Sequence, residues 1–364
     1  MRKILVVIGT RPEAIKMLPL VKELKKRENF KVLLCSSGQH RELLLPLFDY
    51  FGVQPDYSFD GMREGQGLTA LTVRLLEYFD RLFGEIRPNL VLVHGDTTTA
   101  FCAALSAFYR GIKIGHVEAG LRTYDKNSPY PEEFNRCAVD ALSDFCFTPT
   151  ELAAKRLQDE GRANIFVTGN TVIDALRESV REDYKSELLE RAGRRRLILV
   201  TMHRRETLGI RATEAMLAVR EVLERRNDVF GVFPVHANPA VRDTAREVFE
   251  NAKNIALCEP LCVGDFHNLL SRAYLVLSDS GGIQEEASYL GVPVILLRDR
   301  TERPEINERG NVRIVGTDAE RIKRELLLLL DNDFEYEKTA LPSSACGDGY
   351  ACRRIANLLQ KLEW

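Results

Sequence analysis

The chain has 364 residues, 45% of them hydrophobic; at roughly 100–200 residues per domain, that is two domains with cores of their own. Its 51 basic and 53 acidic residues leave a formal net charge of −2, so no global field draws nucleic acid or anionic lipid. Eight cysteines include no CxxC pair and no Cys/His spacing for zinc, and no run approaches the roughly 18 apolar residues of a membrane span; the expectation is a cytoplasmic protein without nucleic-acid or membrane partners.

The opening stretch "MRKILVVIGTRPE" starts like a secretion signal, but its apolar run stops at five residues and soon meets an arginine. It reads as a first β-strand. Further short, β-branched runs follow in the first half: "KVLLCSS", "LVLVHGD", "IKIGHVE" and "DFCFTPT". Amphipathic stretches such as "PEAIKMLPLVKELKKR" and "GLTALTVRLLEYFDRLFGEI" lie between them. A charged, helical segment, "TGNTVIDALRESVREDYKSELLERAGRRR", separates this half from a second series: "RLILVTMH", "VFGVFPVH", "NIALCEPL", "AYLVLSD", "VPVILL" and "NVRIVG". Strands that are apolar throughout belong to parallel sheets covered on both faces, and right-handed crossovers then wind such sheets doubly. The fold class is α/β: two Rossmann-like doubly wound domains facing across a cleft. The expected boundaries are 1–170 for the first domain and 171–349 for the second, with a terminal amphipathic helix at about 350–364.

The polar residues gather just after the strands, where open α/β sheets bind ligands. "GTRPEAIK" brings Gly9, Arg11 and Lys16; "HGDTTT" brings His94 and Asp96; "GHVEAGLRT" brings His116, Glu118 and Arg122. "SPYPEEFNR" adds Glu132, Glu133 and Arg136, "TMHRRE" adds His203, and "PVHANP" adds His236. Each has a plain alternative. Asp96 before "TTTA" reads equally as a helix N-cap, Glu132 and Glu133 complement a helix N-terminus, and the histidines could be satisfied residues at strand ends. Six strand ends explained separately in this way make a weaker account than one shared site.

"SDSGGIQEEA", residues 278–287, joins a strand to a helix. Ser280, Gly281 and Gly282 suit a phosphate cradle at a helix N-terminus, whereas carboxylates in the first turns suit the hydroxyls of a sugar. A nucleotide offers both groups, with Glu286 placed for the ribose. No GxxxxGK[ST] and no GxGxxG occurs, which speaks against an ATPase or a nicotinamide enzyme.

With these motifs together, and with "QHRELL", "RDRTERPE" and "GDGYA", the chain resembles the non-hydrolysing UDP-N-acetylglucosamine 2-epimerases along essentially its full length. The resemblance implies a GT-B-like fold whose C-terminal helix packs back on the first domain, and a homodimer. It implies interconversion of UDP-GlcNAc and UDP-ManNAc for cell-surface polysaccharide, with no nicotinamide, other cofactor or metal. By that likeness Asp96, Glu118 and Glu132 are the acid/base carboxylates and His203 lies by the departing diphosphate. Arg11, Lys16, Arg136, Ser280, Gly281, Gly282 and Glu286 then bind the UDP-sugar. Gln39 and His236 match a region where some members bind activating substrate, although Gly65 stands where some members carry Arg. Alternatives with much the same residues are a hydrolysing epimerase or a 2,3-diacetamido sugar-nucleotide 2-epimerase; remoter ones are a glycosyltransferase of the same fold and a non-catalytic UDP-sugar sensor.

Overall fold

The computed structural model describes residues 1–364 except 40, 60–64, 203–209, 236–238, 300 and 309, and omits the side chains of 41, 210, 239, 240, 307 and 308. The chain forms two units, Met1–Arg177 with Gly347–Trp364, and Glu178–Cys346. His203 and His236 lie outside the described residues.

Unit 1 alternates strand and helix: β1 (Arg2–Ile8), α1 (Arg11–Lys25), β2 (Phe30–Ser36), α2 (Arg41–Phe51), β3 (Tyr57–Ser58), α3 (Leu68–Ile86), β4 (Leu90–His94), α4 (Thr98–Tyr109), β5 (Lys113–Val117), α5 (Glu132–Leu142), β6 (Phe145–Thr148), α6 (Glu151–Asp159), β7 (Ile165–Val167) and α7 (Thr171–Ser179). Its sheet runs β3-β2-β1-β4-β5-β6-β7, with every ladder parallel. Ile4 through Ile8 and Leu90 through Val93 are fully buried, as strands covered on both faces must be.

Unit 2 repeats the pattern: α8 (Glu187–Ala192), β8 (Arg196–Thr201), α9 (Ile210–Glu224), β9 (Val229–Pro234), α10 (Pro239–Phe249), β10 (Ile255–Cys258), α11 (Val263–Leu270), β11 (Leu275–Ser278), α12 (Gly281–Leu290), β12 (Val294–Leu296), α13 (Pro304–Glu308), β13 (Val312–Ile314), α14 (Ala319–Asp331) and α15 (Asp333–Thr339). The strand order is β10-β9-β8-β11-β12-β13, again all parallel. One core, with Phe233, Leu277 and Leu326, and a second, with Phe230, Leu269 and Ala287, cover this sheet.

The chain then returns to unit 1 as α16 (Ala351–Lys361). Asp174 on α7 starts this helix by accepting the N–H groups of Ala351 (3.0 Å) and Cys352 (2.9 Å), two of the donors that a helix start leaves unpaired. Arg2 on β1 meets its other end, donating to the Leu362 carbonyl at 2.8 Å.

All the expected strands are present. Two more, β3 and β7, lie at the edges of the first sheet and have two and three residues, too few to show a pattern. The segment expected to be helical and charged carries two helices, α7 and α8, with the unit boundary near the end of the first. Among the described residues no helix is long and apolar enough to cross a membrane.

Candidate active site

Both sheets reverse their strand order once, between β1 and β4 and between β8 and β11. Such switch points hold the ligands of open α/β sheets, and three of the described residues picked out by sequence follow strands there: Arg11 after β1, Asp96 after β4 and Ser280 after β11.

In unit 1, Gly9 and Thr10 carry β1 into α1. A side chain at Gly9 would strike Thr99 and Ser37, so glycine alone lets the chain turn this close to α4. The Glu13 carboxylate accepts the N–H groups of Gly9 (3.0 Å) and Thr10 (2.7 Å) and the hydroxyls of Thr10 (2.7 Å) and Thr97 (2.8 Å). Burial pushes the Glu13 carboxyl up to about 7 against the pull of those donors. Arg11 opens α1, half-buried. Lys16, further along α1, forms an ion pair with Glu118. Gln39 accepts a hydrogen bond from the Thr99 hydroxyl at 2.9 Å.

At the end of β4, Asp96 is not a helix cap. The cap of α4 is Thr97, whose hydroxyl accepts the Ala100 N–H at 3.0 Å. The Asp96 carboxylate, its side chain 28% exposed, instead pairs with Arg136 on α5. Its carbonyl accepts from Asn135 Nδ2 at 2.9 Å.

Glu118 is the first residue after β5, and the ladder pairing His94 with Val117 sets the ends of β4 and β5 side by side. A Cβ on Gly95 would stand 3.6 Å from Glu118 Oε1. Glu118 has φ +70°, a left-handed conformation that costs a non-glycine residue about 1 kcal/mol and collects at functional sites. The N–H groups of Glu118 and Ala119, each 3.1 Å from the Phe147 carbonyl, hold it there. Glu118 Oε2 takes Lys16 Nζ and Asn170 Nδ2 (2.6 Å), with His94 Nε2 at 3.8 Å.

The start of α5 carries the remaining acids. Glu132 is its first residue, partly exposed. Glu133 is buried; its Oε1 accepts the N–H groups of Thr123 and Tyr124, both at 2.8 Å, and its Oε2 lies 3.3 Å from Arg136 Nη1. Glu133 therefore pins the loop after β5. Arg136 joins Asp96 to Glu133, so two of the three cations expected at the sugar nucleotide, Lys16 and Arg136, are paired with carboxylates.

Unit 2 holds the Gly-Gly corner. Ser278 ends β11 and bridges the switch point through its hydroxyl, 2.8 Å from that of Thr201 on β8, while accepting the Ser280 N–H at 2.9 Å. Ser280 is the N-cap of α12, and its side chain makes no capping hydrogen bond to the donors that a helix start leaves without an intrahelical partner. A Cβ on Gly281 would stand 2.7 Å from Arg303 Nη1 and 2.8 Å from Glu302 Oε1, whereas one on Gly282 meets no described atom within 4 Å. Glu285 and Glu286 lie in the second helical turn, not the first. Their roles differ. Glu285 is paired with Arg303, which also pairs with Glu302, while Glu286 has His267 Nε2 at 3.3 Å.

Sequence reasoning missed Asn170, Glu13 and Asn135. "TGN" follows a three-residue strand too short to advertise itself, and the Glu of "GTRPE" reads as an ordinary first-turn acid.

Two doubly wound α/β domains in tandem, with polar clusters at their switch points, define a protein of the GT-B-like class. MurG of Acinetobacter baumannii, 14% identical, has the same fold with a TM-score of 0.63, the match covering all of both chains. The family described as UDP-N-acetylglucosamine 2-epimerase matches residues 22–360, and the chain belongs to it. The UDP-N-acetylglucosamine 2-epimerase of Bacillus subtilis (strain 168) is 46% identical over 359 residues, 98% of this chain and 94% of that protein. The structure of UDP-GlcNAc 2-epimerase from Neisseria meningitidis bound to UDP-GlcNAc is 39% identical with a TM-score of 0.93, covering 99% of this chain and all of that one.

Proposed function

We propose that the chain inverts C2 of UDP-N-acetylglucosamine to give UDP-N-acetylmannosamine, keeping the UDP in the product. The observation that carries this reading is the joining of Asp96, Glu118 and the α5 turn bearing Glu132 around the ends of β4 and β5, with Glu118 held in a strained backbone. A transferase or a sensor has no need of such a set.

The C2 hydrogen of the sugar is weakly acidic, so a base must be held against it while the bond from C1 to the diphosphate oxygen breaks. A carboxylate takes the C2 proton, the C2 electron pair forms the C1–C2 double bond, and UDP leaves with the C1–O electrons. Return of the UDP oxygen to C1 and delivery of a proton to the opposite face of C2 completes the inversion. Asp96, Glu118 and Glu132 supply the base and the acid. Lys16 and Arg136 fix two of these carboxylates. In unit 2 the start of α12, Ser280 through Gly282, takes the diphosphate, and its aligned N–H groups stabilise the charge that develops on leaving; Arg11 and His203 are assigned to the same charge. Glu286 takes the ribose hydroxyls.

The protein acts as a homodimer, a reading supported by exposed apolar side chains on three successive helices: Leu68 and Val73 on α3, Phe108 and Tyr109 on α4, and Phe134 on α5. It acts in the cytoplasm, in keeping with eight cysteines that are all free, and supplies sugars for surface polysaccharide. Product analysis by phosphorus and proton NMR after incubation with UDP-GlcNAc tests the activity. Intact UDP-ManNAc supports it; free N-acetylmannosamine with UDP makes the chain a hydrolysing epimerase, and unchanged substrate makes it a sensor.

A further inference from the structure

A hydrogen-bonded chain of side chains joins β5, the loop after it and α5. His116, on β5, is wholly buried, with Nδ1 2.6 Å from Asp140 Oδ1 and Nε2 2.8 Å from the Gly95 carbonyl oxygen. Burial pushes the Asp140 carboxyl up, but His116 and Arg122 reverse that push and hold it below its ordinary value. A carbonyl and an ionised carboxylate can only accept, so the ring donates from both nitrogens, as an imidazolium does. Asp140 Oδ2 accepts from Arg122 Nη1 (2.6 Å) and the Gly120 N–H (3.3 Å), and Arg122 also donates to Glu160 through Nε (2.8 Å) and Nη2 (2.7 Å).

Every link touches an element that bears a candidate acid or base. Gly95 immediately precedes Asp96, has φ +63°, and donates its N–H to the Val117 carbonyl at 3.0 Å. His116 lies two residues before Glu118 and Gly120 two after it. Asp140 sits on α5, about two helical turns beyond Glu132. We propose that His116 is a positioning residue for the proton transfers: as a two-proton brace between the Gly95 carbonyl and Asp140, it fixes Asp96, Glu118 and Glu132 relative to one another. The inference rests on the epimerase reading and adds to it a group that never touches the sugar. A ring with one proton could satisfy one of the two acceptors and would leave the other buried without a donor, letting the Gly95 turn drift. Misplacing a catalytic group by an ångström costs about 100-fold in rate.

The test combines nitrogen-15 NMR of the histidine rings near neutral pH with steady-state kinetics of His116→Gln and Asp140→Asn. In the wild type both His116 ring nitrogens carry protons; in Asp140→Asn one of them loses its proton. Both variants lose kcat by on the order of 10–100-fold, while KM for UDP-GlcNAc and Kd for UDP stay within about twofold, and Asp140→Glu recovers part of the loss. A purely structural role would lower the melting temperature and leave kcat of the folded enzyme alone, and that outcome overturns the proposal. So does a wild-type ring with one proton, which decides the matter even if the variants do not fold. If the wild type exchanges no hydrogen at C2, it is the epimerase reading that fails, and the ring spectrum still reports on the brace.

Discussion

Replacing Lys16 with Met removes the cation from a carboxylate that is largely withdrawn from water. The Lys16 and Glu118 side chains are 9% and 8% exposed, and the Asn170 amide donates to the same carboxylate oxygen at 2.6 Å. Breaking a buried pair from one side typically costs 3–5 kcal/mol; with Asn170 still in place the low end applies, about 3 kcal/mol. For a unit of this size each kcal/mol lowers Tm by roughly 2–4 °C, so Lys16→Met melts about 6–12 °C early. Glu118→Gln together with Lys16→Met removes both charges, and a neutral pair of similar volume is often as stable as the ions it replaces. The double variant should therefore recover to within about 1 kcal/mol of the wild type while remaining inactive. Urea unfolding and calorimetry of the wild type, both single variants and the double variant complete the cycle. Additive losses, or a Lys16→Met variant less than about 1 kcal/mol weaker than the wild type, would refute the argument that Glu118 is held as a buried charge.

Gly281→Ala should disturb the Arg303–Glu302 cluster, whose nearest atoms would lie 2.7 Å and 2.8 Å from the new methyl; overpacking of this kind costs about 1–3 kcal/mol, and titration calorimetry should show weaker UDP binding. Gly282→Ala meets open space among the described residues and should keep its Tm to within about 2 °C. Glu286→Gln tests the proposed ribose contact: losing a charged acceptor there is worth about 1.5–3 kcal/mol, so the Kd for UDP should rise roughly 10- to 100-fold with the fold intact. Glu13 ties stability to pH. Its folded pKa, about 7, lies above the ordinary 4.5, so the folded state keeps a proton that the unfolded chain releases. The stability that this confers is complete below the unfolded value and is lost as pH rises through about 7. Glu13→Gln should abolish that slope in denaturant titrations from acid to neutral pH.

The two sheets were legible because parallel, doubly covered strands must be apolar end to end, and β1, β4, β8 and β11 are. Edge strands β3 and β7 carry too few residues for any period. The site was legible as a set of strand ends, since Asp96 and Glu118 each follow a visible strand and Ser280 opens a visible helix. Pairing was not. Nothing in "HGDTTT" says that Thr97 caps the helix and frees Asp96 for Arg136, because both residues are good caps and only the turn geometry chooses. The left-handed backbone of Glu118 leaves no mark in composition, since glutamate has no preference for it. Asn170 reaches Glu118 from 52 residues away, and no local pattern encodes such a contact. His116 read as one more strand-end histidine until the fold set it 2.6 Å from Asp140, 24 residues along the chain.

The most direct measurement is the fate of the hydrogen on C2 of the sugar when the purified enzyme turns over UDP-GlcNAc in deuterium oxide. Removal and return of that hydrogen by Asp96, Glu118 and Glu132 predicts deuterium at C2 of intact UDP-ManNAc and, as equilibrium is approached, of UDP-GlcNAc as well. UDP-ManNAc that forms with its original hydrogen in place, or substrate that binds tightly and exchanges nothing, would contradict the assignment.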